Sequence, residues 1–401
     1  ELIDRGARLV RFTLHGYNMK PEQRGDWKDP DFKKVRKQYF DWLDRRLSQF
    51  EGLVPLARKR GVKMIPALFN LTGGKYPGTD EDAMFRDPKW AELFVETWMR
   101  IAWRLRAHTD VIYGYDLVNE PVQDRPAEKD CDWWNVQRRA AEAIRSVDRE
   151  TPVIVAADKW DLPDGFRRFP PLKVENVIYT VHVYEPHNFT HQGVQKQWPK
   201  GVTWPSKDNK GVLRDQTWLD EKLRPVRAFA YNHKAKIYVG EFSAITWGEG
   251  AERYLADCIA LFERYGWDWT YHAFREWQGW SVEHQGSDGQ TLVSAADTPR
   301  KRALLDGFGR DKTEFSDCRP ETWFHLIGGN ASKEGLAADI AAIADAGIAG
   351  ITLFHGGGDG SELWPGVTNA IPCMSEKWED LVKFASDECH RRGLTFKMQN
   401  C

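Results

Sequence analysis

The chain has no apolar run near the roughly 18 residues that a membrane-crossing helix needs. It has no excess of charge of either sign: 57 Lys and Arg stand against 59 Asp and Glu, a formal net charge of −2. The first absence speaks against a membrane partner, and the second against nucleic acid. Cysteine is sparse. The six residues Cys131, Cys258, Cys318, Cys373, Cys389 and Cys401 show no C-x-x-C spacing, which excludes the common zinc motifs and a dense disulfide framework and leaves the compartment open. That no signal peptide is legible says little, because of where the chain begins. It starts at Glu1 inside ELIDRG, which reads as the tail of a helix, so the sequence is expected to be cut at both ends.

What is present is length and tryptophan. With 401 residues the chain has room for a large barrel and a second unit, and its 19 tryptophans exceed what a core requires. Many belong to the core, but flat aromatic faces also suit the C–H faces of sugar rings.

Apolar, β-branched runs alternate with amphipathic helices from the start, the pattern of an α/β fold with a parallel sheet. Strands are predicted at 7–14, 62–70, 111–121, 151–158, 176–186, 236–244 and 267–274. Between the first two lies a helical stretch expected to break near Gly52 and Pro55. Seven strands fall one short of a (β/α)8 TIM barrel, and the missing one is expected to be the first. From about 312 the pattern restarts as β-α-β-α-β, with Ser332 as candidate N-cap and Gly347 as the stop of its first helix. The expected domains are 1–311, a barrel lacking its first strand, and 312–401, the start of a second barrel.

Two of these strands end on an acid. VIYGYDLVNEP delivers Asn119, Glu120 and Pro121, and IYVGEFSA delivers Glu241. A lone glutamate at a strand end is ordinarily a salt-bridged surface residue. Two acids at the C-terminal ends of two strands of one parallel barrel are instead the equipment for glycosidic cleavage with retention. His187, His191, His284 and Glu185 fit no metal-binding spacing and read better as a polar rim.

The order and wording of the strands over 1–310 resemble glycoside hydrolase family 5, the cellulase-like family of clan A. LVNEP resembles its fourth-strand signature, which implies Glu120 as general acid/base and Asn119 as the partner of a sugar 2-hydroxyl. YVGEF resembles its seventh, which implies Glu241 as nucleophile. His182 and Tyr184 in VHVYEP and Arg11 in LVRF match further family positions near the nucleophile. The physics agrees. Arg11 and Tyr184 favour an ionised Glu241, while burial and the Glu241 charge favour a proton on Glu120.

Two places depart from the pattern. Phe69-Asn70 stands where the family has a histidine, and His272 where it has a tryptophan under the sugar; Trp277 or Trp280 is the candidate replacement platform. The segment from 320 onward resembles the start of the catalytic barrel of glycoside hydrolase family 106, the α-L-rhamnosidase type, which implies a two-enzyme fusion.

The expected function is a retaining glycoside hydrolase acting on a β-linked glucan or mannan. It needs no cofactor or metal, has a carbohydrate as its partner, and is secreted or periplasmic. The alternatives are a carbohydrate-binding pseudoenzyme, suggested by Phe69 and His272, and an exo-acting enzyme on small glycosides or glycolipids.

Overall fold

The computed structural model describes residues 3–14, 32–75, 81–309, 320–327, 330–356 and 371–399. Cys318, Cys401 and the expected turn at 328–329 lie outside them. The other four cysteines are free thiols, and no helix among the described residues is long and apolar enough to cross a membrane. The chain divides into two compact units, Glu1–Gly309 and Arg310–Cys401.

The first unit is a nearly closed parallel barrel of seven strands in sequence order: β1 (Leu9–Leu14), β2 (Lys63–Leu68), β3 (Tyr115–Asp116), β4 (Val153–Ala156), β5 (Val177–Val183), β6 (Lys236–Phe242) and β7 (Asp268–Trp269). Its main helices are α1 (Phe32–Arg60), α2 (Pro88–Leu105), α3 (Trp133–Val147), α4 (Gln216–His233), α5 (Ala251–Arg264) and α6 (Pro299–Gly309). Aspartates start three of them: the side chains of Asp87, Asp132 and Asp215 accept the N–H groups of Lys89, Asn135 and Trp218.

Two elements differ from expectation. Helix α1 does not break at Gly52 and Pro55. Its stripe of Val35, Tyr39, Leu43, Leu47, Phe50, Val54 and Ala57 is buried along the whole length, and that burial outweighs the one hydrogen bond Pro55 forgoes. Strand β3 is far shorter than the apolar run that carries it. Tyr113 donates to the Met64 carbonyl, and the next rung of the ladder would need an N–H from Pro66, which has none. Tyr115 bonds to Pro152 on the other side instead. Strand β7 is likewise short, but Thr270 and His272 still donate to the Val239 and Phe242 carbonyls beyond its end.

The strands alternate between an outer face under the helices and an inner face. At the N-terminal end the inner face is plugged by Ile65, Ile154, Ile178 and Tyr238, with Leu9 and Tyr113 against them. The two edges of the sheet meet through neighbouring elements. The turn Ile3–Arg5 before β1 packs on α6, and Phe308 of α6 stacks on Trp269 of β7 at 5.3 Å between ring centroids.

The second unit is a three-stranded parallel sheet, β8 (Glu321–Ile327), β9 (Gly350–Gly356) and β10 (Thr395–Met398), with α7 (Lys333–Asp345) and α8 (Glu376–Arg391) between the strands. Ser332 caps α7 by accepting the Gly335 N–H, and Gly347 follows the helix at φ +79°. Its core is small, built on Leu336, Ile340, Ile351, Leu353, Leu381 and Cys389.

Helix α2 holds β3 in place through Trp98, which is fully buried and donates from Nε1 to the Leu117 carbonyl at 2.9 Å. Trp98→Ala is expected to cost about 3–5 kcal/mol, read as a lower urea midpoint for the barrel.

Candidate active site

Above the apolar plug the inner face turns polar. Arg11 rises from β1 and is almost fully buried. Its Nε donates to Asp116 Oδ2 at 2.6 Å, and its Nη1 donates to Asn119 Oδ1 at 3.0 Å and Glu241 Oε1 at 2.7 Å. One cation therefore ties β1, the end of β3 and β6 together. The second oxygen of Glu241 accepts from the Tyr184 hydroxyl at 2.9 Å and lies 3.2 Å from His272 Nδ1. Burial alone raises a carboxyl, but His182, His272, Arg11 and the Tyr184 hydrogen bond outweigh it and bring Glu241 down to about 2. Glu241 is a fixed anion.

Its position depends on a β-bulge. Residues 178–181 of β5 pair with 236–239 of β6, but His182 pairs with Glu241, one step out of register. Val239 and Phe242 both face the helices, so the even period of a strand fails between them. Without the extra residue Glu241 would share the outward side of Val239; with it, Gly240 and Glu241 both face inward. Gly240 also makes room. A Cβ there would lie 2.7 Å from Thr180 Oγ1 and 2.9 Å from His182 Nε2.

Glu120 follows β3 in the left-handed region at φ +46° and is part-exposed, turned toward solvent and toward His182. Its Oε1 lies 3.0 Å from His182 Nδ1. His182 is fully buried; burial alone lowers its proton affinity, yet Glu241, Asp161 and Glu120 raise it to about 9. Ligand atoms of Glu120, His182 and Glu241 lie within 4.8 Å of one another, a spacing a metal ion also uses. A protonated His182 offers a proton there rather than a lone pair, and Arg11 already neutralises Glu241, so the trio suits proton transfer better than a cation.

The remaining candidates form an outer ring. His272 joins Tyr184 at 2.7 Å and Glu276 at 3.1 Å. With Tyr184 donating to Glu241, His272 Nδ1 must donate to the Tyr184 oxygen. Burial lowers its proton affinity, but Glu241 and Glu276 raise it further. Trp280 packs against Tyr184, His191 and His272, whereas Trp277 stands one ring further out, against Trp280 and Trp247. His187 and His191 stack with Trp198 as an aromatic wall; burial lowers both, His191 to about 4. Phe69 ends β2 half-buried.

Two buried acids were not singled out from sequence. Asp116 is the signal most open to reading, because an acid inside the apolar run of β3 demands a buried partner, and Arg11 is that partner. Asp161 follows β4 as Glu120 follows β3, but Lys159 and Trp160 beside it give the look of an exposed turn.

The sequence matches the family model described as cellulase (glycosyl hydrolase family 5) over residues 2–278. The chain belongs to glycosyl hydrolase family 5. It is a glycoside hydrolase, and residues 312–401 match the α-L-rhamnosidase family model in addition. It is 23% identical over 262 residues to endoglucanase C of Acetivibrio thermocellus, covering 58% of this chain and 74% of that one. It is 23% identical over 217 residues to cellodextrinase A of Ruminococcus flavefaciens, covering 54% and 63%. A hyperthermophilic endo-β-1,4-glucanase solved in complex with substrate superposes with a TM-score of 0.56 at 19% identity, over 76% of this chain and 88% of that one. Endoglucanase Cel5A of Thermotoga maritima does so at 0.54 and 20%, over 77% and 99%. At such identities the structural likeness speaks for the barrel.

In this family 5 enzyme, Gly240→Ala is expected to lower activity at least tenfold by pushing His182 off Glu120, read in steady-state hydrolysis with near-unchanged circular dichroism. His182 also links stability to pH. Its proton affinity is raised from 6.5 to about 9, so its contribution is complete below about pH 6.5 and vanishes as pH rises through about 9. The stability gap between the wild type and His182→Asn is expected to close over that window in urea titrations.

Proposed function

We propose that the barrel cleaves β-1,4-linked glucan chains with retention of anomeric configuration. The observation that carries this is the carboxylate pair: oxygens of Glu120 and Glu241 lie within 4.8 Å of each other. Retaining glycosidases hold their carboxyls about 5–5.5 Å apart, whereas inverting ones leave about 6.5–9.5 Å for a water.

Glu241, held as an anion by Arg11, Tyr184 and His272, attacks the anomeric carbon. Glu120 gives its proton to the departing glycosidic oxygen, and the glycosyl-enzyme ester forms as that bond breaks. Glu120 then takes a proton from water, whose oxygen attacks the anomeric carbon and releases Glu241. Asn119 accepts from Arg11 through Oδ1, which leaves its NH2 to donate to the sugar 2-hydroxyl. Trp280 and Trp277, with the His187–His191–Trp198 wall, supply apolar faces for flanking sugars. The glucan preference rests on the family and on endoglucanase C and cellodextrinase A. A polymer substrate implies a secreted or periplasmic enzyme, and the rhamnosidase match implies that the second unit serves another linkage of a complex glycan.

Proton NMR during hydrolysis of a cello-oligosaccharide is expected to show the β-anomer of the new reducing end first; the α-anomer first would overturn retention. Glu241→Ala is expected to lose at least 10³-fold in kcat while still binding the oligosaccharide. Undiminished turnover by that variant would remove Glu241 from the reaction.

A further inference from the structure

Two fully buried acids of the polar layer stand outside the mechanism above; Asp116 is engaged by Arg11, which leaves Asp161 without a stated role. It belongs to the loop after β4, where Lys159, Trp160 and Asp161 take three consecutive left-handed conformations at φ +65°, +59° and +56°. Such conformations are costly for residues other than glycine and persist where surrounding contacts fix them. Asp161 supplies three. Its Oδ2 accepts the main-chain N–H of Glu120 at 3.3 Å and lies 3.5 Å from His182 Nε2, while its main-chain carbonyl accepts the His182 N–H at 2.9 Å. Neither its Oδ1 nor His182 Nε2 has a hydrogen-bond partner among the described residues, so the Asp161–His182 side-chain contact is one of charge.

We infer that Asp161 is a positioning residue of the glycosidase reaction, holding the main chains of Glu120 and His182 by hydrogen bonds and facing the far nitrogen of His182 with its carboxylate at 3.5 Å, so that His182 Nδ1–H keeps donating to Glu120 Oε1. The inference rests on the reading of Glu120 as general acid/base and adds what orients it. A carboxylic acid has one carbonyl oxygen and one hydroxyl. With His182 donating to Oε1, that oxygen is the acceptor, and the transferable proton sits on Oε2. After Glu120 has given its proton to the leaving oxygen, the same Nδ1–H stabilises the new carboxylate; His182 itself transfers nothing.

The groups facing Asp161 are His182 from β5, Glu120 and Asp116 from β3 and its end, and Arg11 from β1. Burial pushes Asp161 well up and the imidazolium pulls it down. Between the two, the proton rests on His182, because Glu120 and Glu241 face that ring as well.

The test is a histidine NMR titration of the full chain beside kinetics. In the wild type, His182 is expected to titrate near 9. Asp161→Asn keeps the volume and an acceptor for the Glu120 N–H. It is expected to lower the His182 midpoint by one unit or more and kcat by roughly 10–100-fold, with KM within about threefold. Asp161→Glu is expected to recover part of both. A wild-type His182 titrating near 6.5, or an Asn variant with an unmoved midpoint whose lost activity follows a lower melting temperature, would overturn the proposal. A shifted midpoint in a protein that cleaves no β-glucan would instead keep the Asp161–His182 coupling and remove the catalytic reading of Glu120, and with it the positioning role.

Discussion

Four carboxyls, Asp116, Glu120, Asp161 and Glu241, crowd into the top of one barrel, and the buried guanidinium of Arg11 is what makes that arrangement stable. Isolated charges in such a place cost several kcal/mol each. Arg11 spends its hydrogen bonds on Asp116, Asn119 and Glu241 at 2.6, 3.0 and 2.7 Å, and so converts a repulsive cluster into a network spanning three strands. Everything else in the site follows from this fixed charge. Asp116 is its counter-ion, Asn119 is turned by it, and Glu241 is ionised beside it. His182 faces Glu120 and Asp161, which Arg11 does not bond, and His272 adds a second neighbour to the outer oxygen of Glu241.

Backbone irregularity then directs the side chains. A barrel strand sends alternate residues inward, which places polar groups at fixed spacings and does not by itself bring two carboxylates within 4.8 Å of each other. The bulge at Gly240 moves Glu241 to the inner face beside His182. The left-handed turn at Glu120 lifts its carboxyl off the strand axis toward solvent. Pro66 interrupts the β2–β3 ladder just below, where the chain is about to leave its regular path. These departures from ideal strands gather at the C-terminal end, while the N-terminal plug of Ile65, Ile154, Ile178 and Tyr238 is regular.

The regular parts were the parts legible in the sequence. Strand order, the Ser332 cap and the acids Glu120 and Glu241 at strand ends could be read because they are local signals, whereas Arg11, Asn119, His182 and Tyr184 were expected beside them only through the family resemblance. The continuity of α1 could not, since the local cost of Gly52 and Pro55 is visible in the chain while the buried stripe that overrides it exists only after packing. The bulge was hidden for a related reason: GEF and a plain strand ending look alike until His182 is known to pair with Glu241 rather than with Gly240. Asp161 was missed because its partners come from β3 and β5, and nothing in DKWDLP announces them.

The polar layer and the aromatic wall above it differ in what they offer a ligand. His187 and His191 are kept uncharged by burial, so beside Trp198 and Trp280 they present aromatic surface rather than charge. The charges lie below, and they are not equally rigid. Glu241 Oε1 is held by Arg11, which Asp116 and Asn119 also pin. Oε2 is held by Tyr184 and His272, and His272 has a second partner in the more exposed Glu276. In the proposed role of Glu241 as nucleophile, the attacking oxygen has to give up a hydrogen bond. On that proposal the lower cost would lie at Oε2, whose neighbours Tyr184 and His272 also contact each other and Glu276, while Arg11 keeps the carboxylate in place. His272 thus ties the outer oxygen of Glu241 to a titratable group at the rim, a coupling that an aromatic hydrocarbon ring at that position would not provide.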